Sequence, residues 1–216
     1  MAACREVLGA SFRVTIVNNG STDRTGAVAD VLALTQPEVV ALHLTQKGRG
    51  RALRRAFLRS EAAWLGYMDA DLSTNLAALP TALGRLEQGA DVVIGSRLIQ
   101  GARTRRRLYR EALSRSYNAL VRTLFHSQVS DHQCGFKFLS RAACRELVPR
   151  TQDDLWFFDT ELLVLAQRAG KRVDEIPVDW IEDLGSTVHV VRTIVDDLRG
   201  MRRLRQRLAA DAPRRP

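Results

Sequence analysis

Apolar positions in this chain fall in short unbroken runs, separated by stretches in which they recur every three or four residues. "FRVTIVN" (12–18), "EVVALHL" (38–44), "WLGYM" (64–68) and "ADVVIG" (90–95) are β-branched or aromatic runs of strand length. Between them, helical spacing predicts helices over about 24–34, 51–60 and 76–88, the last containing Pro80. Continuous apolar strands alternating with helices imply a mainly parallel sheet covered on both faces, an α/β fold. Beyond residue 110 the texture changes. A long helix (about 110–126) precedes a Gly- and Cys-containing turn, a short strand "FKFLS", two further helices and a strand "RVDEIPVDWI" (172–181). The segment 188–209 reads as a basic amphipathic helix. Neither a repeat nor a linker interrupts the pattern, so 1–216 reads as one domain, its core over about 12–185.

In open α/β sheets, ligands bind beyond the carboxyl ends of the strands. The polar clusters lie there: Asn18 to Asp23 after the first run, Gln46 to Gly50 after the second, Asp69-Ala70-Asp71 after the third, and Gly95-Ser96-Arg97 after the fourth. Asp69 and Asp71 end an apolar run, and carboxylates so placed are rarely buried without a partner. They suit a hard divalent cation, which takes one or two carboxylates together with substrate phosphates. Equally, Asp71 or Ser73 would serve as the N-cap of the helix that follows. Lys47-Gly48-Arg49-Gly50 is a glycine-rich loop at a helix start, a place that can receive phosphate. Asn18-Asn19-Gly20 is a turn signal first and a ligand site second.

Charge sharpens the picture. The net charge of +9 is concentrated: residues 97–110 carry +6 and residues 199–216 another +6, leaving −3 for the other 184. Two local basic patches fit docking on phosphates better than a general role in solubility. A pI of about 10.4 raises nucleic-acid binding, but no aromatic-interleaved basic motif accompanies the patches, so no nucleic-acid partner is expected. Apolar runs fall short of a membrane span, and the N-terminus is too short and too weakly apolar for a signal peptide. Three cysteines without metal-like spacing predict reduced thiols in a cytosolic setting. The four histidines, 43, 126, 132 and 189, show no ligand or triad spacing and read as structural or surface groups.

Seven pieces in order, "VNNGSTD" (17–23), "KGRGRALR" (47–54), "DAD" (69–71), "GSR" (95–97), "SDHQCGFKFLSR" (130–141), "WFFDTELL" (156–163) and "IPVDW" (176–180), resemble glycosyltransferase family 2. The likeness covers about residues 12 to 200 and is nearest the dolichyl-phosphate β-glucosyltransferase branch. It implies a GT-A, Rossmann-like fold and inverting transfer of a hexose from UDP-glucose or GDP-mannose to a polyprenyl phosphate. The enzyme would be peripheral, on the cytosolic membrane face. Asp69 and Asp71 match the motif that holds Mg²⁺ or Mn²⁺ against the donor diphosphate. Asn18, Asn19, Ser21, Asp23, Lys47, Gly48, Asp69 and Ala70 match the donor side. Arg97, with Arg103, Arg106, Arg110 and Arg115, lies where the acceptor phosphate is bound. Gln133, Cys134 and Gly135, with Trp156, Asp159 and Glu161, match the sugar pocket. An acceptor phosphate is already ionised at neutral pH, so Asp159 is expected to orient or support electrostatically, with general base the lesser option. The C-terminal basic helix would meet anionic headgroups.

Two departures accompany the resemblance. The family opens with a strand ending in a Pro-x-Tyr-Asn-Glu-like motif, and this chain is expected to lack that first strand, "CREVLGASF" being the remnant of the helix after it. Asn18 also stands where an acidic residue usually contacts the base, losing charge-assisted strength. Both leave a second reading open: a non-catalytic, membrane-associated relative that keeps the fold without holding a nucleotide sugar.

Overall fold

A computed structural model describes residues 1–181 and 190–211. Among these, α1 (Ala2–Leu8) precedes β1 (Val14–Asn19), α2 (Thr25–Thr35), β2 (Val39–Leu44), α3 (Arg49–Arg59) and β3 (Trp64–Met68). Then come α4 (Leu79–Glu87), β4 (Val92–Ser96), β5 (Arg103–Arg105), α5 (Leu108–Phe125), β6 (Phe136–Ser140) and α6 (Arg141–Leu147). The chain continues through α7 (Phe158–Arg168), β7 (Val173–Pro177), β8 (Asp179–Ile181) and α8 (Val190–Ala210).

The α/β class and most elements match expectation, but the sheet is not one parallel array. β1 and β2 form a parallel pair of their own. The main sheet runs β3-β6-β4-β7, with β6 antiparallel to both neighbours and β4 parallel to β7. The reversal follows from chain path: the loop after α5 delivers β6 to the same edge on which β3 ends, so Phe136 stands opposite Met68 and the strand runs back. A further small sheet pairs β5, within the basic stretch 97–110, with β8, the end of the strand predicted over 172–181. Val178 separates β7 from β8 and lets the chain change sheets. The predicted 76–88 helix is a 3-10 turn at Leu76–Ala78 followed by α4, so Pro80 sits in a first turn, where its missing N–H is harmless. Of the predicted helix 188–209, residues 188 and 189 lie outside the described residues, as do 182–185 at the end of the expected core.

Strand alternation divides the core. Val92 and Ile94 of β4, with Leu139 of β6 and Tyr67 of β3, face α5, α6, α7 and α8. Val93, Phe136, Phe138 and Ile176 face α4, with Cys4 and Leu8 of α1 packed at that cluster's margin. β4 is buried along its whole length, whereas β1 is only half-buried. The apolar side chains of α2 are largely outside: Val31 is 57% and Leu34 87% exposed. α7 is the opposite case, buried from Phe158 to Ala166. It runs through the middle of the larger cluster, and it carries two acids, Asp159 and Glu161, into that interior.

Leu162 on α7 is fully buried, so Leu162→Ala should cost about 2–5 kcal/mol through lost contacts and a cavity. Leu34→Ala on the exposed face of α2 should stay within about 0.5 kcal/mol. Urea denaturation of both variants checks the pair.

Candidate functional site

The site is built where β1, β2, β3 and β4 end. Asp159, 3% exposed, is its interior anchor. Its Oδ1 accepts Lys137 Nζ at 2.7 Å and the Tyr67 hydroxyl, and its Oδ2 accepts Arg49 Nη1. Lys137 also donates to the Cys134 carbonyl at 2.6 Å, and no part of its side chain reaches solvent. Burial pushes the Asp159 carboxyl up, but the Arg49 and Lys137 charges and the Lys137 and Tyr67 hydrogen bonds more than offset it, leaving its pKa below the usual range. An ionised carboxylate with three donors on it is a poor proton acceptor, which favours the electrostatic role over general base.

Arg49 continues the chain outward. Its Nη2 donates to Asp69 Oδ1 at 2.8 Å, so one guanidinium spans Asp159 and Asp69. The Tyr67 and Trp156 rings lie 5.2 and 5.1 Å from its Cζ. Asp69 is seated by backbone: its N–H donates to the Gly135 carbonyl at 3.0 Å. A Cβ at Gly135 would stand 1.8 Å from Asp69 Oδ2, so only glycine leaves room for the carboxylate. Asp71 Oδ1 accepts the Ser73 N–H at 2.9 Å, closing a turn in which Leu72 holds a left-handed φ of 52°. The cap expected of Asp71 or Ser73 is supplied by Asn75, whose Oδ1 accepts the Ala77 N–H.

The glycine-rich loop does something other than expected. Gly48 N–H donates to Asn19 Oδ1 at 2.8 Å, Gly50 N–H to the Leu155 carbonyl and Arg51 N–H to the Asp154 carbonyl. Those amides are therefore spent on backbone and side chain and offer no phosphate cradle. The glycines serve close approach: a Cβ at Gly48 would lie 2.6 Å from the Asp154 carbonyl oxygen, and one at Gly50 2.4 Å from that of Asp153. Arg51 and Arg54 clamp the same loop through Asp154, at 2.5 and 2.9 Å.

The remaining expected residues divide. Asn18 bonds His43 Nδ1 at 3.1 Å while His43 Nε2 pairs with Asp30, an arrangement satisfied by a proton on Nε2. Ser21 N–H donates to Asn18 Oδ1, and Asp23 Oδ1 accepts from Thr25 at the start of α2. The exposed Lys47 runs past Gly20, where a Cβ would meet its Cγ at 3.1 Å. Ala70, exposed, lies between the two acids. Gln133 Nε2 donates to Asp197 of α8 at 2.9 Å. Cys134 packs its side chain into the α4-side core, and burial with Asp131 nearby pushes its thiol up to about 11.

Glu161 does not line the pocket. Its Oε2 accepts the Gln152 and Asp153 N–H groups and its Oε1 faces Arg207 at 3.0 Å, so it ties α7 to α8 from behind. Among the acceptor arginines, Arg97 is held by Asp131 through Nε at 2.7 Å and Nη2 at 2.8 Å, under the Trp180 ring. Arg106 and Arg115 both pair with Glu111. Arg103 is exposed on β5, and Arg110 bonds the Tyr109 hydroxyl at 3.2 Å.

Residue-type reasoning passed over Arg49, Tyr67, Lys137 and Asp131. A lysine inside the apolar strand "FKFLS" was the available signal, because a buried ammonium requires a buried partner. For metal binding, no three His, Cys, Asp or Glu side chains converge among the described residues. Asp69 and Asp71 nevertheless fit a hard divalent ion that completes its shell with phosphate oxygens and water, as Mg²⁺ does.

Carboxylates, an arginine and aromatic rings gather at the ends of an α/β sheet, and the solved glycosyltransferases that the structure resembles give this fold as GT-A. Glucosyl-3-phosphoglycerate synthase from Mycobacterium tuberculosis in complex with uridine diphosphate is similar in structure, with TM-score 0.65, 17% identity, and 89% of this chain and 68% of that chain covered. The complex of that enzyme with Mn²⁺, UDP-glucose and glycerol 3-phosphate gives TM-score 0.64 at 15% identity, over 92% of this chain and 72% of that one. The "Glycosyl transferase family 2" model matches residues 2–148, and the chain belongs to that family. It is 41% identical over 187 residues to glycosyltransferase AglD of Haloferax volcanii, covering 86% of this chain and 30% of that protein. Dolichyl-phosphate beta-glucosyltransferase of Saccharomyces cerevisiae is 29% identical, with 84% and 60% covered. Polyprenol monophosphomannose synthase of Mycolicibacterium smegmatis is 33% identical, with 83% and 69% covered. The chain thus spans about a third of the archaeal relative and somewhat over half of the yeast one.

Asp131 is fully buried; burial pushes its pKa up, but the Arg97 charge and hydrogen bonds overcome this and hold it at about 2. A folded pKa below the unfolded value of about 3.9 gives stability that is present above pH 4 and lost as pH falls towards 2. The stability gap between wild type and Asp131→Asn, about 2–4 kcal/mol at neutral pH, should therefore narrow between pH 4 and 2. Urea melts at pH 7, 4 and 2.5 measure it.

Proposed function

We propose that this chain carries the catalytic site of a polyprenyl-phosphate hexosyltransferase, taking a hexose from UDP-glucose or GDP-mannose. The observation that supports it most is the row Asp159–Arg49–Asp69 at the strand ends, in a chain whose family relatives are named for dolichyl- and polyprenyl-phosphate sugar transfer. Asp69 and Asp71 would hold Mg²⁺ or Mn²⁺, which when bound neutralises charge developing on the leaving diphosphate. Asn18, Asn19, Lys47 and Ala70 would face the nucleotide side, and Trp156 and Gln133 the sugar. Asp159 keeps Arg49 and Lys137 in place and takes no proton, because the acceptor phosphate arrives ionised. Inversion at the sugar carbon follows from direct attack by that phosphate.

The membrane side of the reading rests on β5, β8 and the start of α5. Arg103 and Arg105 stand beside Leu108, Tyr109 and Ile181, which are 87%, 49% and 63% exposed. Basic and apolar groups side by side suit the interface of an anionic bilayer, on the cytosolic face where such lipids concentrate. No helix among the described residues is long and apolar enough to cross a membrane. α8 contributes less charge to such a surface than its sequence suggests, since Arg203 and Arg207 turn inward to Asp153 and Glu161. A second reading, a non-catalytic relative, draws on the spent amides of the 48–51 loop.

With labelled UDP-glucose or GDP-mannose, Mn²⁺ and polyprenyl phosphate in vesicles, label should enter the extracted lipid. Asp71→Ala should lower the rate at least about 100-fold, the scale of losing an electrostatic contact in a transition state. Vesicle binding without transfer would favour the second reading.

A further inference from the structure

Arg49 sits in an asymmetric bridge. At its inner end Asp159 has a side chain only 4% exposed; at its outer end the Asp69 side chain is 38% exposed. The Arg49 side chain itself is 15% exposed, flanked by the Tyr67 and Trp156 rings. Two carboxylates, Asp69 and Asp159, face two cations, Arg49 and Lys137, so these four side chains balance one another's charge. A divalent cation brought to Asp69 and Asp71 upsets that balance unless negative charge arrives with it. A nucleoside diphosphate supplies that charge.

The two ends of the bridge differ in strength for a physical reason. An ion pair screened by water is weak, whereas a buried carboxylate stripped of its partner is costly. The outer contact is therefore the one that yields. Arg49 Nη2 and the cation compete for the same Asp69 oxygen, while Nη1 stays on Asp159.

Building on the metal reading above, we propose that Arg49 is a displaceable counter-ion of Asp69, and hence a positioning residue for the donor. It holds Asp69 through Nη2 and yields it to the cation that enters with the diphosphate. It then turns the released N–H towards that diphosphate. Cation and diphosphate thereby bind cooperatively, because each removes the penalty the other would meet, and the coupling is the same whichever binds first.

Mn²⁺ binding to the whole protein, read from the free-Mn²⁺ electron paramagnetic resonance signal with and without UDP, tests this without any turnover. Wild type should bind Mn²⁺ weakly alone and at least about tenfold more tightly with UDP. Arg49→Gln should bind Mn²⁺ alone about fivefold more tightly, the scale of one exposed ion pair removed, with a smaller effect of UDP. Arg49→Lys keeps the charge but cannot fork between two carboxylates, and should also bind Mn²⁺ more tightly than wild type. Arg54→Gln, whose arginine serves Asp154, should match wild type. Unchanged or weaker Mn²⁺ binding in Arg49→Gln overturns the proposal. So does a gain in Arg49→Gln absent from Arg49→Lys, which would reduce the effect to net charge. If no form binds Mn²⁺ even with UDP, the metal reading fails, and the inference with it.

Discussion

A buried carboxylate organises this protein. Asp159 lies in the first turn of α7, which is buried from Phe158 to Ala166, and an ionised group there stands only if donors meet its oxygens. Lys137 comes from β6, Tyr67 from β3 and Arg49 from α3, so one side chain binds three elements to α7. The arrangement dictates much of what surrounds it. β6 must insert between β3 and β4 to bring Lys137 under α7, which explains why a sheet expected to be mainly parallel carries an antiparallel strand at its centre. The loop before β6 is thereby set against Asp69, with glycine at 135 because nothing larger fits.

The site is built from inside outwards: an ionised anchor, an arginine that pairs with it, and a half-buried acid, Asp69, at the arginine's other end. Glu161 and Asp131 repeat the principle at its margins, each a buried acid with its oxygens fully engaged, one holding α8 and the other Arg97. Reactive and structural acids are separated by exposure and partners, not by residue type.

That distinction sets what the sequence could disclose. Strands ending in polar clusters were legible, since apolar runs and their termini are local signals, and Asp69 does meet Gly135 and, through Arg49, Asp159. The family resemblance placed Glu161 with Asp159 in the sugar pocket, but two positions apart on a helix point to different sides, and Glu161 faces Arg207. The glycines of the 48–50 loop suggested a phosphate cradle, and their true constraint, the backbone of 153 and 154, is about a hundred residues distant. β5 and β8 were hidden for the same reason: three-residue strands pair only through tertiary context.

The proposed reading turns on a cation and a nucleoside diphosphate meeting at Asp69 and Asp71, beside Arg49. Paramagnetic broadening of backbone amide resonances by Mn²⁺ in the presence of UDP locates that meeting point directly. The strongest broadening is expected at Ala70, Leu72 and Gly135, with Gly48 and Trp156 next. Broadening centred on the exposed face of α2 or the tail of α8, with Ala70 and Leu72 sharp, would contradict it.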